Sequence, residues 1–283
     1  MRRRDFLRNG VGWALATATA RSAWSQPQAL RMGVHPYNSA LALIATHRPL
    51  FQYLETALQQ PVEFYTAPSF EAYVNALMAG EYDIPISPPH FAMLAMEKGH
   101  YRALVHYRTR LDPLLAVPRD STFHGPADFA GARIAMADKS ALIRIVIIKW
   151  LADAGLVADR DYSIVERPTH GASIAATVQG EADAGVATST AFRQVPPDVQ
   201  MKLRTVPSGY RFPHLFTLGH QRLGSARLEQ LKQALLAFTP DHPQGKLFFE
   251  KSSYGGFEPV MPQELDELRP FIEPTRKVLD GLR

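Results

Sequence analysis

Beyond residue 27, two hydrophobic patterns take turns along the chain: short apolar runs that suit buried strands, and longer stretches with apolar positions three and four apart that suit helices. Residues 30–34 read as a first strand, 39–59 as a helix interrupted at Pro49, and 62–65 as a second strand. Between 70 and 79 apolar residues fall at 70, 73, 74, 77 and 78, and Gly80 follows as a helix stop. Residues 82–86 predict a third strand, 91–98 a helix ended by Gly99, and 102–107 a fourth strand. After Pro113 a second set begins, with strands at 114–117 and 133–137 flanking a helical turn at 126–129. The helix predicted over 141–154 is apolar almost all round, which implies burial on every side. A strand at 162–166, a helix at 173–179 stopped by Gly180 and a strand at 184–187 complete this set, and from Leu223 onward the pattern is helical, at 228–238, 243–251 and 262–282. Strands alternating with helices predict an α/β fold of mostly parallel sheet covered by helices, without repeats or long linkers.

The N-terminus departs from this pattern. Arg3-Arg4-Asp5-Phe6-Leu7 is a paired-arginine export signal, and the Ala-rich stretch 9–20 behind it is shorter than the roughly 20 residues of a membrane-spanning helix. Small residues at −3 and −1 occur at Ala18 and Ala20 and again at Ala23 and Ser25. Residues 1–25 are therefore expected to be a twin-arginine-type signal peptide, cleaved after Ser25 or after Ala20, that delivers a folded chain to the periplasm. Its removal takes away five arginines (Arg2, Arg3, Arg4, Arg8 and Arg21) and one acid (Asp5), so the formal net charge of +4 falls to zero. No Lys/Arg run survives in the remainder, which argues against nucleic acid as a partner. The chain has no cysteine, which excludes disulfides, thiolate metal sites and a cysteine nucleophile.

Candidate chemistry lies where strands run directly into helix starts. Five polar turns do so: 35–39, 87–90, 138–140, 169–173 and 188–190. In open parallel sheets ligands sit at the carboxyl ends of strands, and a helix N-terminus offers free N–H groups with about half a positive charge. An oxyanion can be held there without a lysine or arginine, with hydroxyls and histidines completing the donor set. Each turn taken singly also reads as an ordinary helix cap.

The same turns resemble a known family over nearly the whole chain past the signal. Leu30-Arg-Met-Gly-Val-His-Pro-Tyr37, Gly80-Glu-Tyr-Asp83 leading to Pro89-His-Phe-Ala92, Asp128-Phe-Ala-Gly-Ala-Arg-Ile-Ala135, Thr169-His-Gly-Ala172, Gly180-Glu-Ala-Asp-Ala-Gly185 and Gly256-Phe-Glu-Pro259 are similar to the periplasmic substrate-binding proteins of the phosphate/phosphite/phosphonate ABC-transporter group. The resemblance implies a two-lobed type II periplasmic-binding fold, with two mixed sheets flanked by helices and a double-strand hinge, crossing near 110–115 and 206–218. Lobe one would hold residues 27–111 and 217–283, and lobe two residues 112–216. Carried over by position, Tyr37, Ser39, Ser87 and His90 from lobe one and Ser140, Thr169 and His170 from lobe two are the expected ligand contacts: Tyr37 as aromatic wall, the histidines as donors, Ser140 as helix-start clamp. One departure is local: where the group carries a Ser-Thr-Ser-Gly-like run, this chain has Asp138-Lys139-Ser140-Ala141-Leu142.

The implied function is capture of a small oxyanion-bearing or organophosphorus solute by a monomer that delivers it to an inner-membrane ABC permease, with no cofactor, no metal and no catalysis. Two alternatives stay open: a ligand-sensing partner of a membrane sensor kinase, and a metal-binding protein using His35, His90 and His170. No H-x-H or H-E-x-x-H pair favours metal, and no G-x-S-x-G elbow favours a hydrolase. Asp83 and Asp183, each in a Gly-x-x-Asp turn before a strand, read as structural caps, and Arg144 as either a cleft residue or a solvated one.

Overall fold

The computed structural model describes residues 28–281, so the expected signal peptide over 1–25 lies outside the described residues. In chain order the elements are β1 (Leu30–Val34), α1 (Ala40–Leu58), β2 (Val62–Tyr65), α2 (Phe70–Met78), β3 (Ile84–Ser87), α3 (Pro89–Glu97), β4 (Tyr101–Tyr107), β5 (Arg110–Leu111), β6 (Pro113–Pro118), β7 (Arg133–Met136), α4 (Leu142–Asp153), β8 (Ser163–Glu166) and α5 (His170–Val178). There follow β9 (Ala184–Thr188), α6 (Ser189–Gln194), α7 (Pro197–Gln200), β10 (Leu203–Pro207), β11 (Phe212–Pro213), β12 (Phe216–His220), α8 (Ser225–Ala237), α9 (Pro243–Ser252), β13 (Phe257–Pro259), α10 (Pro262–Leu268) and α11 (Ile272–Asp280).

These strands form a six-stranded sheet in the order β13-β4-β12-β3-β1-β2 and a five-stranded sheet in the order β10-β6-β9-β7-β8. Both are mixed: β1 pairs in parallel with β2 and β3 while β12 runs against β3 and β4, and β7 pairs in parallel with β8 and β9 while β6 runs against β9. The chain passes between the sheets twice, at β5 and at β11. These two segments pair with each other as a separate antiparallel ribbon, Phe212 opposite Leu111 and Pro213 opposite Arg110.

Helix α4 explains its own composition. Ile143, Ile147 and Leu151 pack into the core of the five-stranded sheet with Leu115, Ile134 and Val186. Leu142, Ile145 and Val146 face the other way and pack with Phe91, Phe216, Leu268 and Phe271 from the six-stranded side. Its first two turns are gripped from both sides, and charge on a solvent face is confined to the Lys149–Asp153 pair toward its C-terminal end.

Three expectations need correction. Helix α1 is not interrupted at Pro49 but runs unbroken for 19 residues. Proline removes one hydrogen bond and costs about 3 kcal/mol in a helix interior. The buried stripe Leu43, His47, Leu50, Leu54 and Leu58 continues on both sides of it, and each buried leucine contributes roughly 1.5–3 kcal/mol, so packing outweighs the break. Helix α5 begins at His170 and not at Ser173, because Thr169 Oγ1 caps it by accepting from the Ala172 N–H at 3.1 Å. The tail over 262–282 is two helices separated by a 3-10 turn, Arg269–Phe271, where Pro270 cannot donate to the ladder.

Candidate functional site

A cavity of about 530 Å³ opens between the two sheets, and strands β1, β3, β7, β8 and β9 all end beside it. Each turns straight into a helix, so the starts of α1, α3, α4, α5 and α6 meet at the cavity through Ser39, Pro89 and His90, Leu142 and Ile143, Thr169 and His170, and Thr188 and Thr190. None of these five helices has an acidic residue in its first turn. Their partial positive charge is therefore left unneutralised by the chain itself. Ser39 and Thr169 also cap their helices, accepting from the N–H of Ala42 and of Ala172. Helices α3 and α4 have no side-chain cap, their cap positions being Pro88 and Ala141.

Four histidines line the same space, namely His35, His90, His170 and His214. His90 donates its Nε2–H to the Ser140 carbonyl at 2.8 Å, a bond that joins the start of α3 to the turn before α4 across the cavity, and its Nδ1 has no partner. Both ring nitrogens of His35 are unpartnered, as are Nδ1 of His170 and Nδ1 of His214. Burial pushes the pKa of His90 and His170 down to about 4 and that of His214 to about 3, the neighbouring His106 adding to the effect at His214. His35 is lowered well below the usual value, first by burial and then by its proximity to His90 and His170. At neutral pH all four are neutral; His35, His170 and His214 can each offer both an N–H and a lone pair, and His90, its N–H given to Ser140, a lone pair alone. The ring of His35 meets Phe70 edge-on at 4.2 Å, and Tyr107 stacks on Tyr254 at 4.2 Å, so the wall is aromatic as well as polar. Burial raises the pKa of Tyr37 and Tyr254, which keeps both hydroxyls protonated.

Of the seven residues singled out in the sequence, the structure brings five to the cavity wall: Tyr37, Ser39, His90, Thr169 and His170. Ser87 is fully buried behind the wall beside Tyr73. Ser140 also stands behind it, its hydroxyl donating to Asp138 Oδ1 at 2.6 Å, because α4 starts two residues later and presents Ala141, Leu142 and Ile143 instead. The expected role of His90 changes too, since its one N–H is engaged by Ser140 and a lone pair remains. Arg144 is neither a cleft residue nor a solvated one. Its buried guanidinium donates to the Ala137 carbonyl at 2.8 Å and grips Glu166 at 2.6 and 2.9 Å. Asp83 and Asp183 accept from the backbone N–H of Arg31 and Arg133, both at 2.8 Å, as structural caps.

The tertiary structure adds Thr188, Thr190, His214, Lys251, Ser252 and Tyr254 to the wall. Thr188 and Thr190 lie in a polar turn already evident in the sequence, whereas His214 was not among the residues the sequence singled out. Lys251 and Ser252 end α9 and Tyr254 follows it, and no polar turn of the kind found at the strand ends marked them in the sequence. Lys251 is the one lysine or arginine among the lining residues, and none of them is Asp or Glu. Among the described residues, the one His/Asp/Glu group gathered closely enough for a metal is His106, Glu258 and Glu264, outside the cavity; His35, His90 and His170 do not gather in this way.

Comparison with known proteins agrees with this architecture. The family model described as ABC transporter, phosphonate, periplasmic substrate-binding protein matches residues 32–265. PhnD1 from Prochlorococcus marinus, solved in complex with methylphosphonate, has a TM-score of 0.77 at 13% identity over 89% of this chain and 100% of that one. A Xanthomonas citri protein solved bound to ATP has a TM-score of 0.72 at 18% identity, covering 90% of this chain and 99% of that one. The alkanesulfonate-binding protein SsuA from Xanthomonas axonopodis pv. citri, bound to MOPS, has a TM-score of 0.56 at 20% identity, covering 90% and 95%. The fold is the two-sheet α/β type II periplasmic-binding fold.

Proposed function

Because the chain belongs to the phosphonate family of periplasmic substrate-binding proteins of ABC transporters, we propose that it captures an oxyanion-bearing organic solute in this cavity and presents it to the permease of such a transporter. The observation that carries the reading is the meeting of the α1, α3, α4 and α5 N-termini, free of first-turn acids, around buried imidazoles with unpartnered nitrogens. Backbone N–H groups at these starts bind the oxyanion oxygens. The hydroxyls of Ser39 and Thr169 and the ring of His170 surround the head, and Tyr37 walls the organic portion. Ser87 and Ser140 act from behind, Ser140 by holding His90 through its carbonyl.

Lobe one comprises residues 27–111 and 217–283 and lobe two residues 112–216, moving about the β5/β11 ribbon. The ligand touches both lobes only when they are closed, so its differential affinity shifts the population toward the closed form that the permease reads. Residues 1–25 act as a twin-arginine signal, and the released chain works as a monomer.

The test is thermal unfolding of the chain from Gln26, with methylphosphonate, inorganic phosphate and an alkanesulfonate as probes. A bound probe at about 100 times Kd adds about 2.7 kcal/mol, which for a chain of this size raises Tm by roughly 5–10 °C. No shift with any of these oxyanions refutes the reading.

A further inference from the structure

The charges around the cavity are one-sided, and this narrows the class of solute. No carboxylate lines it. Of the acids nearest in sequence to its walls, Asp112 accepts from the hydroxyl and N–H of Ser189, Asp138 from Ser140, and Glu166 from the Arg144 fork, while Glu71, next to the lining Phe70, is exposed in the first turn of α2 and does not line the cavity. An ammonium on the solute would therefore meet no counter-ion. It would face five positive helix starts and neutral imidazoles.

Helix α9 differs from the other lining helices in presenting its C-terminal end, through Lys251 and Ser252. A helix C-terminus attracts cations, and here the chain supplies its own, with Lys251 in the last turn. The neighbouring acid, Glu250, is paired with Lys246 at 3.9 Å. The cavity, at about 530 Å³, falls within the roughly 300–1,000 Å³ that takes drug-sized ligands, so space remains beyond an oxyanion head.

We propose that the solute of this cavity carries a second anionic group, a carboxylate at the end of a short organic chain remote from its oxyanion head, and that Lys251 receives that carboxylate. Aminoalkyl oxyanions are disfavoured by the same wall. The inference rests on the capture of an oxyanion proposed above and adds to it the charge of the other end. Lys251 is exposed, so its replacement leaves the buried core untouched.

Calorimetric titration of the chain from Gln26 with three phosphonates of matched length tests it: 3-phosphonopropionate, propylphosphonate and 2-aminoethylphosphonate. The expected order places the carboxylate three- to tenfold tighter than the uncharged chain, about the value of a partly solvated charge-assisted bond, with the amine weakest. Lys251→Gln should bring the ratio of carboxylate to uncharged affinity near one, and Lys251→Glu should invert the order of carboxylate and amine. An amine that binds as tightly as the carboxylate, or a carboxylate preference that survives Lys251→Gln, overturns the inference. Binding of propylphosphonate with no preference for the carboxylate leaves oxyanion capture standing and overturns this inference alone. Silence from all three phosphonates, together with methylphosphonate, phosphate and an alkanesulfonate, overturns both.

Discussion

Mild acid should destabilise the ligand-free protein through its buried histidines. His47 and His90 are fully buried with pKa values lowered to about 4, and His214, also buried, to about 3, against 6.5 for a histidine in water. Burial is the main cause in each case. A base whose pKa is lower in the folded state takes up its proton more readily on unfolding, so the effect is absent above pH 6.5 and grows as pH falls toward 4. Between pH 7 and pH 5, a shift from 6.5 to 4 changes the folding equilibrium roughly twentyfold, or about 2 kcal/mol per histidine. Three such residues amount to about 5–6 kcal/mol, against a typical total stability of about 5–15 kcal/mol. Carboxylates titrate lower and contribute little in this window. The assay is urea denaturation followed by circular dichroism at pH 7 and pH 5. His47 lies outside the cavity wall and donates Nδ1–H to the Leu43 carbonyl at 3.0 Å, a bond that the amide of asparagine can reproduce. His47→Asn should therefore lose about 2 kcal/mol less than the parent on acidification. Equal stability at the two pH values, or a variant that titrates like the parent, would refute the reasoning.

Three further outcomes are expected. Arg144→Met should lower stability by about 2–4 kcal/mol, from the unpartnered Ala137 carbonyl and, because Glu166 is half exposed, a smaller part from the ion pair; denaturation and titration together check that affinity for the best oxyanion stays within about threefold. A stable variant with binding lost would return Arg144 to the ligand site. Gly185→Ala should destabilise by about 1–3 kcal/mol or more and also weaken binding, because its Cβ would lie 2.4 Å from the Ser173 carbonyl oxygen and push away α5, which carries Thr169 and His170; Tm and titration of the variant report both effects. Replacing Arg3 and Arg4 by lysine in the full chain should abolish export, read by fractionating cells, whereas unchanged periplasmic yield would remove the twin-arginine assignment.

The local elements and the turns were legible in the order of residues alone. Apolar spacing marked the strands and helices, because burial of one face leaves a period of 2 or 3.6 whatever the surroundings. The polar turns at strand ends were visible because helix caps demand Ser, Thr or Asp, and five of the seven chosen site residues do line the cavity. Tertiary structure alone decided what depends on distant segments. Whether Pro49 would break α1 was a competition between a local penalty and burial of leucines against strands and helices from elsewhere in the chain. Arg144, in the first turn of α4, has its direction set by Glu166 on β8, a partner that no local pattern specifies, whereas Ser140 is held by Asp138 only two residues before it. Lys251, Ser252 and Tyr254 reach the wall from a tail remote in sequence, through packing of α9 on α1. Periodicity records which residues are buried; which residues meet is a property of contacts across the chain, and the chemistry of this cavity is made of such meetings.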